Sequence, residues 1–387
     1  MAAHVLTPFE LHVPDEALQD LRTRLAHVRF PDEPPGAPWT TGTSVAYMKE
    51  LIDYWRDRFD WRAQEARLNA FRQYTVPVAG IDLHFIFEEG KGPDPMPLLI
   101  SHGWPGSVVE FLDLIPMLTD PVRFGGDPRD AFTVIAPSLP GFTLSFRPGQ
   151  ERFGVERIAD VYAHLMVDAL GYERYGVQGG DWGAFVASRL GYQFAQQVTG
   201  IHLNLLAVRR DQQLLENPTE AERRYLDELA QWLKEETGYQ WIQGTRPTTL
   251  AFALTDSPAG LAAWLVEKFH AWTDCDGVPE NAIDRDAMLA DITLYWFTGA
   301  IGSSFWPYYA RMHGPWPIPH GATVDVPTGY AEFPREILRP PRPLAERTYT
   351  DIRRWSVMPR GGHFAALEQP QALATEIREF FRPLRAN

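Results

Sequence analysis

Three short apolar runs, PLLI at 97–100, FTVIA at 132–136 and YGVQ at 175–178, are separated by amphipathic segments. Strand, helix, strand repeated in this way predicts a mostly parallel, doubly wound sheet with helices on both faces. Ahead of them, Ile81, Leu83, Phe85 and Phe87 alternate with Asp82, His84 and Ile86, the pattern of a half-buried strand. VTGIHLNLL (198–206), ATVDVP (322–327) and RRWSVM (353–358) supply further strand candidates.

In such a sheet reactive groups gather beyond the carboxyl ends of the strands. RYGVQGGDWGAFVA, residues 174–187, has the form of a strand-to-helix elbow, with small residues at 179, 180 and 183 and a reactive group at the tip. That tip usually holds a serine, and here it is Asp181. A serine needs a base before it can attack, whereas a carboxylate is already ionised at neutral pH, so Asp181 suits attack on an alkyl carbon. The product of that attack is an ester, whose hydrolysis needs an oxyanion hole and a base for water.

Both are present in the sequence. SHGWPG (101–106) follows the first apolar run, where the fold places one oxyanion donor, the backbone N–H of Trp104; the N–H of Trp182 is the second. PRGGHFAALEQP (359–370) follows a late strand and frees His363 between glycines and a loop. Nucleophile, acid and histidine occur in that order in this fold, so the acid belongs in VPTGYAEFPREIL (326–338), where Glu332 and Glu336 both qualify.

The remaining chain divides into helical segments. Residues 1–70 read as a helical meander, with a stripe of Leu18, Leu21, Leu25 and Val28 and a second helix over 44–59. Residues 71–208 form the first part of the core, 209–310 a helical lid lacking strand signal, and 311–387 the second part of the core. The lid carries Tyr239 in TGYQWIQGTRP and Tyr308 and Tyr309 in GAIGSSFWPYYARM, and a tyrosine hydroxyl can donate a proton to an epoxide oxygen. Trp232, Trp241, Trp264, Trp272, Trp296 and Trp306 give the lid an aromatic content that suggests a bulky apolar substrate. DCDG at 274–277 has too few ligand positions for a calcium loop and is assigned no role.

A net charge of −14 with dispersed basic residues argues against a nucleic-acid partner, and the lone Cys275 excludes an internal disulfide. The first twenty residues lack a signal-peptide pattern and no apolar run is long enough to span a bilayer, so a cytoplasmic protein without a membrane anchor is expected.

Taken together, PFELHVPDEALQDLRTRL, RFPDE, HGWPGS, QGGDWG, the lid segments 237–274 and 294–309, VPTGYAEFPREI and RGGHFAALEQP make the chain resemble the microsomal-type epoxide hydrolases of the α/β-hydrolase superfamily, over nearly its whole length. The resemblance implies a vicinal diol formed through a covalent ester on Asp181, with His363 as base for water, Glu336 rather than Glu332 as its orienting acid, and Tyr239 and Tyr308 as donors, Tyr309 being the alternative to Tyr308. It also implies no cofactor and no metal, an epoxide and water as the only small-molecule partners, and a homodimer as one admissible state, as in some soluble relatives. Haloalkane dehalogenases, which share the Asp-Trp pair, and a non-catalytic binding protein of the same fold are the alternatives; the N-terminal meander and the lid tyrosines point away from the first.

Overall fold

The computed structural model describes residues 5–208 and 217–385. The chain opens with a two-residue strand, β1 (Thr7–Pro8), and the helices α1 (Asp15–Ala26), α2 (Val45–Asp57) and α3 (Trp61–Asn69). Of the expected stripes, Leu21 and Leu25 on α1 and Met48, Leu51, Ile52 and Trp55 on α2 are buried, whereas Leu18 is half-buried and Val28 lies beyond the end of α1; Ser44 caps α2. The meander is not wholly helical, because β1 pairs antiparallel with β2 (Gln73–Val78), a strand that Pro77 disguises in the sequence.

A β3 strand (Ile81–Glu88) follows, then β4 (Met96–Ser101), α4 (Leu114–Thr119), β5 (Phe132–Pro137), α5 (Val155–His164), β6 (Tyr175–Gly179), α6 (Asp181–Gln193) and β7 (Val198–Leu203). Asp82 on β3 is exposed and Phe87 and Glu88 are half-buried, but His84 and Ile86 are as buried as Leu83 and Phe85, so the middle of the strand is covered on both faces. His84 tolerates this because its ring nitrogens meet Ser138 Oγ and Gln73 Oε1, each at 2.9 Å.

Among the described residues seven α-helices then run without a strand: α7 (Glu220–Glu235), α8 (Gly238–Thr245), α9 (Pro247–Asp256), α10 (Pro258–Trp272), α11 (Arg285–Thr298), α12 (Ile301–Ser304) and α13 (Trp306–His313). The expected lid start, 209–216, lies outside the described residues, and the expected end at 310 falls inside α13. The chain returns through β8 (Thr328–Glu332), α14 (Arg342–Ala345), β9 (Ile352–Val357), α15 (Ala365–Glu368) and α16 (Pro370–Phe381). ATVDVP is not a strand: it makes a single bridge, Val324 to Tyr349. Its valines alternate because Val324 and Val326 pack on α6 at Gly191.

The nine strands form one sheet in the order β1-β2-β3-β5-β4-β6-β7-β8-β9, parallel from β5 through β9 and antiparallel at the β1–β3 edge. The carboxyl ends of β4, β6, β8 and β9 therefore point the same way, and the loops leaving them meet.

Candidate active site

At the carboxyl end of β6 the chain turns directly into α6, and Asp181 takes φ +46°, a conformation that costs a residue with a β-carbon. The turn closes only because its flanks are bare. A β-carbon on Gly179 would lie 2.8 Å from Ala184 N, and one on Gly183 2.8 Å from His102 O. The loop after β4 presses on the elbow from the other side, and the Trp104 N–H donates to Asp181 Oδ1 at 2.8 Å. Trp182 stands in the first turn of α6, where backbone N–H groups have no acceptor within the helix. One backbone donor thus binds the carboxylate, and a second N–H group belongs to the next residue in the chain.

His363 follows β9 and Gly361, whose φ is +103°. Its backbone N–H donates to Trp272 O at 2.8 Å, tying the loop to the end of α10. The ring Nδ1 meets Glu336 Oε1 at 2.7 Å, and Nε2 stands 3.4 Å from Asp181 Oδ2. Glu332 does not reach the ring; its Oε2 accepts from Trp355 Nε1 at 3.0 Å. Burial alone would push the imidazole down, but the Glu336 and Asp181 carboxylates outweigh it and hold His363 well above its ordinary value.

DCDG, given no role by its sequence, braces this loop. Asp274 Oδ2 accepts from the Gly361 N–H at 3.0 Å, and the Asp274 N–H donates to Glu368 Oε2 at 2.9 Å. No local pattern announces this bracing, since its partners lie about ninety residues away. Cys275 is buried, with Sγ 3.3 Å from His270 O.

Tyr239 and Tyr308 are 5% and 3% exposed, with ring centroids 5.7 Å apart. Trp104 stacks on Tyr239 at 5.4 Å, and Trp182 meets Tyr308 edge-on at 4.8 Å. Trp104 and Trp182, the residues beside the Asp181 elbow, thus also pack against the phenol rings. Burial, then the neighbouring Tyr239 and Asp181, keep the Tyr308 hydroxyl well above its ordinary value, so it stays a proton donor. Tyr309 turns away and stacks on Trp306 and His313, at 4.7 and 4.0 Å.

Two cavities meet at Asp181. One, lined by Tyr239, Tyr308, Trp182, Phe185, Leu205 and Leu338 among others, leaves about 40 Å³ for the centres of water-sized molecules. The other lies on the His363 side with Glu110, Gln178 and Asn204, and leaves about 20 Å³ for the centre of a water molecule, above the roughly 10–15 Å³ a water requires. The six lid tryptophans do not line the first cavity: Trp241 is 62% exposed, Trp272 packs against His363, and Trp306 stacks on Tyr309. The aromatic wall comes instead from Trp182, Phe185 and Tyr225.

A family model described as the epoxide hydrolase N terminus matches residues 6–111, and one for the alpha/beta hydrolase fold matches 96–239. A Stigmatella aurantiaca protein provisionally named an epoxide hydrolase is 44% identical over 98% of this chain and 86% of its own length. Epoxide hydrolase 1 of Oryctolagus cuniculus is 35% identical over 97% of this chain and 88% of its own. The solved Aspergillus niger epoxide hydrolase superposes with a TM-score of 0.84 at 30% identity, covering 98% of this chain and 97% of that one.

Proposed function

The chain belongs to the epoxide hydrolase family and is an enzyme of that activity on the α/β-hydrolase fold, and from that premise we propose which of its residues carry each step. An oxygen of Asp181 forms a bond to one oxirane carbon while the ring C–O bond breaks. The departing oxygen takes a proton from Tyr239 or Tyr308, and the enzyme is left as an alkyl ester.

His363 acts in the second half. In the resting site Asp181 and Glu336 both favour its charged form. Esterification neutralises Asp181, so one of those two influences disappears. The imidazolium can then return its proton to the tyrosinate and become a base for water. Water held on the His363 side attacks the ester carbonyl, and its proton passes to Nε2. The Trp104 and Trp182 N–H groups stabilise the oxyanion, one such donor being worth about 2.7–4 kcal/mol. Collapse releases the diol, protonated from His363, and the proton left on the new carboxyl group passes to the imidazole, restoring both the carboxylate and the imidazolium.

The observation that carries this reading is a carboxylate at positive φ with a backbone N–H on one oxygen and a Glu336-bound imidazole beside the other. Conversion of styrene oxide to its diol by the purified protein, abolished in Asp181→Ala, tests it. Turnover that survives this change would reject Asp181 as nucleophile.

The apolar walls of Leu205, Leu206, Val208, Ile337 and Leu338 support a lipophilic substrate. Of the described residues, 5–70 are read as a cover over core and lid, and 217–310 as the lid itself. Among the described residues no single helix is long and apolar enough to cross a membrane. A cytoplasmic location, suited to a lone cysteine, and a homodimer complete the proposal; fractionation and sedimentation test them.

A further inference from the structure

Arg311 brings a charge into the substrate cavity that the steps above do not use. It lies on α13 three residues after Tyr308, so both side chains leave the helix on one side. The side chain is half-buried, and its guanidinium sits 5.5 Å from the centroid of the Trp316 ring. Among the described residues no carboxylate pairs with it and no carbonyl accepts a hydrogen bond from it.

The neighbouring cation is treated differently. Lys268 lies 4.6 Å from the centroid of the Tyr239 ring, but its Nζ is 2.5 Å from Glu267 Oε2 and 3.6 Å from Glu236 Oε2. Charges withdrawn from water are normally paired in this way. Desolvation pulls Arg311 below its ordinary value, an effect that the neighbouring Tyr239 and Tyr308 only partly offset. A planar fork of donors left open toward a cavity matches a carboxylate in geometry as well as in charge.

We propose that Arg311 is the anion-binding end of the substrate cavity, and that the preferred substrate is a lipophilic epoxide carrying a carboxylate. This rests on the reading of Tyr239 and Tyr308 as the epoxide-oxygen donors. With the oxirane held there, the carboxylate reaches Arg311 about one helical turn further along α13, and Leu205, Leu206 and Leu338 cover the body between them.

The test uses 4-(oxiran-2-ylmethoxy)benzoate and its methyl ester, in which the ether methylene insulates the oxirane from the change in charge. The full-length enzyme should favour the carboxylate in kcat/KM at least tenfold. In Arg311→Met that ratio should fall at least tenfold, and Arg311→Lys should restore part of it. A wild-type ratio near one, or a ratio unmoved by Arg311→Met, overturns the proposal. Styrene oxide turnover by the wild-type preparation keeps the two failures apart: its absence would reject the Asp181 scheme, while its presence without a carboxylate preference rejects the anion site alone.

Discussion

Gly103 presses its bare α-carbon against Asp181: a β-carbon there would lie 2.7 Å from the carboxylate carbon. That approach is what lets the next residue, Trp104, donate its N–H to Asp181 Oδ1. Gly103→Ala should therefore displace the carboxylate from its donor. Ester formation in a single turnover is expected to fall about 100-fold, the cost of a misplacement near 1 Å. Stopped-flow tryptophan fluorescence with styrene oxide measures it, and an unchanged rate would show that the contact does not set the carboxylate's position.

Glu336 holds the ring of His363 through Nδ1 and raises its proton affinity. Glu336→Gln keeps the hydrogen-bonding shape but removes the charge. The rate of ester hydrolysis needs neutral His363, so its acid limb should move to lower pH in this variant, and its plateau should fall because the base is weaker. Single-turnover profiles from pH 5 to 9 check both. A limb that stays in place would separate Glu336 from the titration.

Tyr308 lines the cavity and Tyr309 does not. Tyr308→Phe is expected to slow epoxide opening by about 10²-fold or more, as for loss of a general acid. Tyr309→Phe, changed outside the site, should keep wild-type rates. A large effect at Tyr309 would reverse the assignment.

Ser107 Oγ donates to Asp291 Oδ1 at 2.5 Å, while Oδ2 of the same buried carboxyl has no protein partner. Burial pushes Asp291 up to about 8, against 3.8 when unfolded, so between those values the native state holds a proton that the unfolded state has released. Stability should accordingly fall as pH rises through that window, by about 1.4 kcal/mol per pH unit for this one group. The buried His84, His102 and His202, pulled down to about 3, 4 and 4, oppose this trend near pH 6.5, where their unfolded imidazoles are still losing protons, but they do so equally in a variant that changes only Asp291. In urea unfolding at pH 6.5 and 8, the wild type should lose stability relative to Asp291→Asn by about that slope. An equal slope in the variant would place the proton elsewhere.

Much of the site could be read from the sequence because its demands are local. The elbow needs small residues at 179 and 183, the HGWPG loop needs Gly103, and His363 needs the turn at Gly361; each requirement sits within a few residues of the group it serves. The choice between Glu332 and Glu336 was not local: Glu332 ends β8, and only the turn through Phe333 and Pro334 brings Glu336 to the ring. The cavity wall was less legible still. Phe185 comes from α6, Leu338 from the loop after β8 and Arg311 from α13, and no spacing rule joins them. The lid tryptophans misled for the opposite reason, since an aromatic side chain fills a core as readily as it lines a pocket. β1, two residues long, and β2, interrupted by Pro77, offered no periodicity to detect.

The central claim is that Asp181 is alkylated and its own carboxylate oxygen enters the diol. In one turnover in ¹⁸O-labelled water with enzyme in excess, the peptide containing Asp181 should gain one ¹⁸O, and the diol released should carry none. A labelled diol beside an unlabelled peptide would contradict it.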